Sequence, residues 1–324
     1  MASAGVNSVV VRAPSRLHFG MFSFGDPTLR QFGGAGVMID DPAFELHVTR
    51  AERFEFIGAA SDRMRTVVEA LLATDWGRQL PPLKFAAASV PRSHTGLGTG
   101  TQTALAVVAA AAQFLNAPVL EAATLAQLAG RAKRSAVGLH GFLRGGLIVE
   151  VGRLPHDAVA PLAAQVELPE AWRFVLVCPR AQQGLSGESE RSAFAALPPV
   201  PQSLTDQLCR IALLDLIPSA RSADFAGFSE ALYHFGHAAG QCFKSHQAGV
   251  YATDELAMLV ARVRAAGVAG VGQSSWGPTL FTLHPSLTAA EQFVRSCGAW
   301  SDADRYEFTI SAANRGGARI TIAG

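Results

Sequence analysis

The chain has 324 residues, of which 49% are hydrophobic, and its 27 basic residues nearly balance 26 acidic ones. This composition supports one large globular domain or two of ordinary size, and it lacks the net positive field expected of a protein that binds nucleic acid or anionic membranes. The N-terminus has no signal-peptide pattern, and the longest apolar run, Ala104–Leu115, is shorter than the roughly 20 residues that span a bilayer. We therefore expect a cytoplasmic protein with reduced, buried thiols at Cys178, Cys209, Cys242 and Cys297.

In the first half of the chain, β-rich runs between Gly and Pro predict strands, and amphipathic or apolar runs predict helices. The predicted strands are Val9–Ala13, Val37–Ile39, Phe44–Thr49, Leu83–Ala87 and Gly145–Val151. The predicted helices are Arg63–Leu72, Ala104–Leu115 and Ala122–Lys133. A proline-containing segment from Pro155 to Pro169 predicts a linker between two domains.

Beyond this segment, strands are predicted at Trp172–Cys178, Leu280–Leu283, Tyr306–Ile310 and Arg319–Ile322. Helices are predicted at Thr205–Ile217, Ala223–Ala239, Thr253–Ala266 and Ala289–Cys297. Strands and helices do not alternate strictly, which favours an α+β fold over a doubly wound sheet. We expect an N-terminal domain over residues 1–165 and a C-terminal domain over residues 166–324.

Two basic side chains follow the first predicted strand directly. The segment from Ala13 to Gly20 reads Ala-Pro-Ser-Arg-Leu-His-Phe-Gly, with Arg16 and His18 two positions apart. In an extended chain, this spacing puts both side chains on one face. They are candidates for the wall of a site.

A glycine-rich loop precedes the helix predicted at Ala104. It spans Pro91 to Thr103, and no Asp or Glu occurs between Asp75 and Glu121. Glycines allow the amides to point outward, and the N-terminus of a helix favours an anion, so the loop predicts phosphate binding. It lacks the Lys-Ser/Thr of a Walker loop and the spacing of a dinucleotide loop, and close helix packing is the alternative explanation. The candidate phosphate ligands are His94, Gly96, Leu97, Gly98, Thr99, Gly100, Thr101 and Gln102.

A second basic segment runs from Arg131 to Gly146. Between Asp75 and Glu150 the only acid is Glu121, against seven Lys or Arg residues, and Arg134 is a further candidate for phosphate binding. The alternative is a solvated helix end favoured by the helix dipole. His140 lies between two glycines, which predicts an open turn where its imidazole acts as an acid, a base or an anion ligand.

A late loop, Gly270 to Thr279, precedes the strand at Leu280. Its neutral donors and its tryptophan predict substrate contacts, with the tryptophan as a surface for ring stacking. A β-turn with a core tryptophan is the alternative. The candidate residues are Gln273, Ser274, Ser275 and Trp276.

Three of these segments together resemble the GHMP kinase superfamily. They are a first-strand A-P-x-R segment, a G-L-G-[ST] loop before a helix, and a late G-x-x-x-x-G-P-T loop. The resemblance spans nearly the whole chain. It implies an N-terminal domain like domain 2 of ribosomal protein S5 and a ferredoxin-like α+β C-terminal domain.

The departures from the kinase pattern resemble one branch, the β-ribofuranosylaminobenzene 5′-phosphate synthases. The loop reads Gly-Thr-Gly-Thr-Gln where kinases have Gly-Ser-Ser-Ala, and Gly138-Leu-His-Gly141 replaces the region that carries Asp or Asn in many kinases. The late Gly-Gln-Ser-Ser-Trp-Gly-Pro-Thr also fits this branch. The resemblance implies condensation of 4-aminobenzoate, or a close analogue, with phosphoribosyl pyrophosphate. It also implies that carbon dioxide and pyrophosphate are released, and that the reaction belongs to the biosynthesis of methanopterin.

The same resemblance implies a magnesium ion and a homodimer. It marks the positions of Arg16, His18 and His140, for which catalytic roles are our hypothesis. The balanced charge and the short apolar runs predict no nucleic acid or membrane partner. An ATP-dependent kinase of a small alcohol and a non-catalytic ligand-binding protein of the same fold are the alternatives. The metal ligands stay open, with Asp26, Asp40, Glu188 and Glu190 as candidates that no spacing supports. The Gly- and Ser-rich stretch 184–190 fits either a mobile flap or a surface turn.

Overall fold

Seven strands pair into one sheet in a computed structural model, which describes residues 6–117, 119–182, 184, 187–247 and 249–323, without the side chains of 187–191. The order is β11-β1-β2-β4-β3, and the pair β5-β6 joins at the other half of β2. All neighbours are antiparallel except β3 and β4. The strands are β1 (Ser8–Met21), β2 (Gly34–Arg50), β3 (Glu55–Ile57), β4 (Leu83–Ser89), β5 (Leu147–Glu150), β6 (Leu162–Val166) and β11 (Arg319–Ala323).

The first two strands are much longer than predicted. β1 continues past Ala13, because a shift in register between Ala13 and Ser15 absorbs Pro14 without ending the pairing. β2 joins two predicted strands across Pro42 and changes partners, from β5 at Gly34–Val37 to β4 at its far end. The extension of β1 carries Arg16 and His18 on the strand itself, in the extended conformation that the sequence predicts.

Four helices share one apolar core with β1, β2 and β4. The second of them is apolar on all sides and is almost completely buried, as expected for a central helix. The third helix ends at Ala129, before the predicted Lys133, because Gly130 adopts a left-handed conformation with φ 62°. The helices are α1 (Ser61–Leu72), α2 (Thr99–Phe114), α3 (Ala122–Ala129) and α4 (Val137–Arg144), with a 3₁₀ turn at Gly77–Gln79.

The second sheet has the order β10-β7-β9-β8 and is antiparallel throughout. Its strands are β7 (Arg173–Pro179), β8 (Val271–Gln273), β9 (Leu280–His284) and β10 (Tyr306–Ala312). Its helices are α5 (Gly187–Ala196), α6 (Gln202–Arg210), α7 (Ile217–Arg221), α8 (Phe225–Gln241), α9 (Asp254–Ala265) and α10 (Leu287–Cys297), with a π-helical segment at Ile211–Leu216 and a 3₁₀ turn at Ala303–Arg305. The chain order β-α-β-β-α-β with this strand order is ferredoxin-like, and the α+β prediction is confirmed.

Helix α8 joins the two halves of the molecule. Its apolar face packs with Leu17 and Phe19 of β1 and with Phe174 of β7 in one core. Phe235 of α8 meets Phe22 edge-on at 5.7 Å between ring centroids. The extended end of β1 is therefore held against α8, beside the first turn of α2.

Several local predictions are wrong in the described chain. The predicted linker contains β6, which pairs with β5. All four cysteines are free, but Cys209 is exposed and Cys178 is half-buried.

No described helix is long and apolar enough to cross a membrane.

Two further predictions stay open. In the stretch 184–190, Leu185, Ser186 and the side chains of Glu188 and Glu190 lie outside the described residues. The domain limits 1–165 and 166–324 remain a proposal, and the closing strand β11 pairs with β1.

Candidate active site

The glycine loop presents an uncapped helix N-terminus. Gly96 and Gly98 have φ values of 85° and 72°, a conformation that favours glycine, and Gly98 is the residue before the first turn of α2. No side chain caps this turn. Thr99 and Thr103 direct their hydroxyls to backbone carbonyls, those of Pro91 and Thr99. The Thr101 N–H donates to Gly98 O at 2.9 Å, which leaves the amides of Thr99 and Gly100 as the ones that an anion could accept from at this end of α2.

Two guanidinium groups flank this loop. Arg16 donates from its backbone N–H to Leu97 O at 2.9 Å and from Nη2 to Gly96 O at 3.4 Å. A Cβ placed on Gly98 would lie 3.3 Å from Arg16 Cβ, and one on Gly100 would lie 2.9 Å from Nη1 of Arg63. Arg63 belongs to α1, and its role at the loop has no sign in the local sequence. The missing side chains of these glycines let both cations approach the loop.

The late loop closes against the glycine loop and β1. Ser274 Oγ donates to Gly96 O at 2.8 Å and accepts from the His18 backbone N–H at 3.0 Å. The Ser275 backbone N–H donates to His18 O at 3.0 Å. Three segments that lie far apart in sequence therefore meet, and the structure brings Arg16 and His18 together with both loops.

A buried carboxyl group that the sequence did not single out lies behind this junction. Glu150, at the end of β5, has no exposed surface, and its Oε1 accepts from the Ala136 backbone N–H at 2.8 Å. Ser135, beside Ala136, contacts His18 Nε2 through its hydroxyl at 3.1 Å. The network thus connects β5, the start of α4 and β1. In the sequence, the only sign of this buried carboxyl group is an acidic residue at the end of an apolar strand.

Burial sets the protonation of both groups. It holds the pKa of His18 well below the usual value, with a further contribution from the charge of Arg16. It also raises the pKa of Glu150 to about 7, although hydrogen bonds from Ser135 and Ala136 and the charge of Arg16 act against this rise. His18 is therefore a neutral imidazole at physiological pH, and Glu150 is poised near its titration midpoint.

His140 does not lie in the predicted open turn. It belongs to α4, is 6% exposed, and its Nε2 lies 2.8 Å from Ala160 O. Gly141 serves close packing, because a Cβ there would come within 2.2 Å of Met38 Sδ. The ring is engaged in a buried hydrogen bond, and burial lowers its pKa. The geometry assigns His140 a packing role and leaves its catalytic role without structural support.

Three other predicted phosphate ligands, Gln102, His94 and Arg134, have different surroundings. Gln102 is buried beside the loop, donates from Nε2 to Gly138 O at 2.9 Å, and has an Oε1 without a hydrogen-bond partner among the described residues. His94 is exposed, and its carbonyl accepts from Gly184 N at 2.7 Å. The guanidinium of Arg134 lies 4.5 Å above the ring of Phe194. Arg134 thus packs on the aromatic cluster that contains Phe194.

An aromatic pocket adjoins His18. Trp276 packs edge-on against Phe243 and Phe194, at centroid distances of 4.8 and 5.3 Å, and is 9% exposed. With β1 and α8, these rings line a pocket that reaches His18 and Gln273. Gln273 uses both amide atoms inside the protein, donating to Ser275 O and accepting from Ala252 N. Gln273 and Ser274 therefore hold the loop in shape, and Trp276 forms a wall.

Comparisons with known proteins agree with this architecture. The GHMP kinases N terminal domain matches residues 64–145, and the GHMP kinases C terminal domain matches residues 216–301, together just over half of the chain. The β-ribofuranosylphenol 5′-phosphate synthase of Archaeoglobus fulgidus is 28% identical over 322 residues, 94% of this chain and 97% of the relative. The enzyme of the same name from Methanothermobacter thermautotrophicus is 26% identical over 299 residues, 86% and 89% of the two chains.

Solved structures share the fold over nearly the whole length. Homoserine kinase from Cytophaga hutchinsonii superposes with a TM-score of 0.66 at 17% identity and covers 99% of both chains. Mevalonate diphosphate decarboxylase from Staphylococcus aureus gives a TM-score of 0.66 at 15% identity and covers 98% of both chains. At these identities the likeness is one of fold.

Proposed function

Because this chain belongs to the GHMP kinase superfamily, we propose that its glycine loop holds the pyrophosphate of phosphoribosyl pyrophosphate while a para-substituted benzoate displaces it. The products are carbon dioxide, pyrophosphate and a β-ribofuranosylbenzene 5′-phosphate. The observation that carries the proposal is a glycine loop flanked by two cations, together with an α4 that lacks the carboxylate usual in the kinases. Arg16 and Arg63 flank the loop, and α4 contains neither Asp nor Asn.

The relatives support this reaction through their names, which specify a β-ribofuranosylphenol 5′-phosphate as product. The sequence resemblance pointed to the aminobenzene counterpart. The two differ only in the group para to the ribosyl carbon, hydroxyl or amine. We therefore propose 4-hydroxybenzoate and 4-aminobenzoate as the two aromatic acids to compare.

The chemistry requires charge stabilisation more than a strong base. The bond from ribose C1 to the pyrophosphate oxygen breaks, and the aryl carbon that bears the carboxylate forms a bond to C1. The carbon–carboxylate bond then breaks, carbon dioxide leaves, and the electron pair restores the aromatic ring. Amides of α2 with Arg16 and Arg63 would stabilise the negative charge on the leaving pyrophosphate, and positioning supplies the rest.

A neutral His18 suits the second step. Since burial and Arg16 keep its imidazole uncharged, His18 would orient the ring without forming an ion pair with the carboxylate. An ion pair would oppose decarboxylation, because the charge must leave the carboxylate as carbon dioxide forms. The network from Glu150 through Ser135 holds this imidazole in place.

Magnesium, the dimer and the pathway are proposals from family resemblance. The described residues contain no group of three or more His, Cys, Asp or Glu side chains that could hold a metal. A magnesium ion would then be bound mainly by pyrophosphate oxygens, since this ion commonly binds substrate phosphates. We also propose a cytoplasmic homodimer in methanopterin biosynthesis and one-carbon metabolism.

Release of labelled carbon dioxide tests the proposal. Purified protein receives carboxyl-labelled 4-hydroxybenzoate or 4-aminobenzoate, with and without phosphoribosyl pyrophosphate. We expect label in the gas phase only when both substrates are present. Formation of ADP from ATP and a small alcohol, without consumption of phosphoribosyl pyrophosphate, would establish the kinase alternative. Binding of the phosphosugar without turnover would establish the non-catalytic one.

A further inference from the structure

The side chains that line the pocket beside His18 carry no formal charge, and Arg134, which lies over the ring of Phe194, is not among them. The lining contains no Asp, Glu, Lys or Arg among the described residues. Phe194, Phe243 and Trp276 form one side, and β1 from His18 to Met21 forms another. Such a site favours a flat, apolar group and disfavours an ion, because a charge would lose its hydration without gaining a partner.

One glycine of the pocket faces open space. A Cβ placed on Gly236 of α8 would meet nothing closer than Phe19 O at 4.0 Å. The other glycines of the lining are different, since a Cβ on Gly20 would lie 2.1 Å from Ala239 Cβ and one on Gly240 would lie 2.3 Å from Val250 O. Gly20 and Gly240 are therefore needed for backbone packing, whereas the missing side chain of Gly236 leaves room in the pocket.

The late loop connects the pocket to the glycine loop. His18 and Ser275 line it, and their backbones are hydrogen-bonded to each other. Ser274, the next residue, bonds to Gly96 of the loop. A ring in the pocket would thus have one edge next to the place where the loop holds pyrophosphate.

We propose that this pocket binds the ring of the aromatic acid, with the carboxylate-bearing carbon toward the glycine loop, and that Gly236 sets its depth. The inference rests on the proposed function, and it adds the location of the acceptor and a residue that determines its size. The carboxylate lies at the opening and the para substituent lies inside, because the interior offers no cation to an acid group.

Enlarging position 236 tests the assignment. Gly236→Ala and Gly236→Leu add one and four carbons where the wild type has space. Ala226→Leu, on the exposed face of the same helix, is the matched control. Binding of 4-hydroxybenzoate and 4-aminobenzoate is measured by isothermal titration calorimetry, the Michaelis constants of both substrates by product release, and folding by melting temperature.

We expect Gly236→Leu to weaken binding of the aromatic acid at least tenfold and to change the Michaelis constant for phosphoribosyl pyrophosphate less than twofold. Ala226→Leu should bind as the wild type does. Gly236→Ala should melt at or above the wild-type temperature, since alanine favours a helix over glycine, and should show a smaller loss of binding. The Gly236→Ala variant keeps the test valid if the leucine variant does not fold.

Equal binding of the aromatic acid by wild type and Gly236→Leu would overturn the inference, as would a wild type that binds neither acid. Equal release of carbon dioxide by both proteins would also overturn it, while leaving the proposed reaction intact. A third outcome is a wild type that binds the aromatic acid but releases no carbon dioxide, and a Gly236→Leu variant that does not bind the acid. This result would support the pocket and refute the reaction.

Discussion

Replacing Glu150 by glutamine should change how the stability of the protein depends on pH. Burial raises the pKa of this carboxyl from its ordinary value of 4.5 to about 7. At about 1.36 kcal/mol for each pH unit, this difference corresponds to about 3 kcal/mol of unfolding free energy. The glutamine side chain keeps an oxygen for the Ala136 amide and cannot ionise, so it imitates the protonated acid.

The direction follows from proton binding in the two states. Folded protein holds a proton on Glu150 up to about pH 7, whereas the unfolded chain loses it near 4.5. The stability that this proton contributes is complete below pH 4.5 and is lost as the pH rises through about 7. The unfolding free energy of the Glu150→Gln variant, relative to that of the wild type, should therefore rise by up to about 3 kcal/mol between about pH 4.5 and about pH 8.

Urea unfolding at about pH 5, 6, 7 and 8 measures this effect. Glu69→Gln, which removes an exposed carboxylate of α1, is the matched control for the loss of one charge. We expect the difference between Glu150→Gln and wild type to widen with pH, and that for Glu69→Gln to stay constant. Parallel curves for Glu150→Gln and wild type would refute the assignment of a buried acid that titrates near neutrality.

Three further predictions concern the loop and α4. Gly100→Ala should keep the fold, because this residue lies inside α2 without a positive φ, but its methyl group would displace the Arg63 guanidinium 2.9 Å away and raise the Michaelis constant for phosphoribosyl pyrophosphate. Steady-state kinetics would contradict this if the constant stayed at the wild-type value. Arg63→Gln should raise the same constant about tenfold, the loss of roughly one charge-assisted hydrogen bond, at an unchanged melting temperature. An equal change in the constant for the aromatic acid would argue against a phosphate contact. His140→Ala should lower the free energy of unfolding by about 1–3 kcal/mol, since it removes the partner of Ala160 O, and should leave kcat unchanged. A fall in kcat at wild-type stability would restore the catalytic role.

The sequence predicted the elements that depend on local pattern. The glycine loop, α1 and most strands follow from periodicity and from Gly and Pro. α4 was missed, since Gly138 and Gly141 suggest a turn, whereas Gly141 allows the helix to pack on Met38. The full length of β1 was missed because a register shift lets it pass Pro14.

The candidate site was only partly predicted, because motifs mark some of its residues whereas others depend on contacts across the fold. Arg16, His18 and the two loops carry recognisable motifs, and the structure brings them together. Arg63 and Glu150 carry none, because their importance comes from contacts across the fold, with Gly100 and with the amide of Ala136. The contribution of Ser274 was predicted as a donor to substrate, but its hydroxyl bridges Gly96 and His18.

In the proposed reaction, pyrophosphate leaves while a carbon–carbon bond forms, and carbon dioxide is then lost. The most direct measurement is the ratio of the two products in a single reaction with phosphoribosyl pyrophosphate and carboxyl-labelled aromatic acid. We expect equal amounts of carbon dioxide and pyrophosphate, and an organic product with ribose C1 bonded to the ring. Pyrophosphate without carbon dioxide would mean hydrolysis of the phosphosugar and would contradict the proposed reaction.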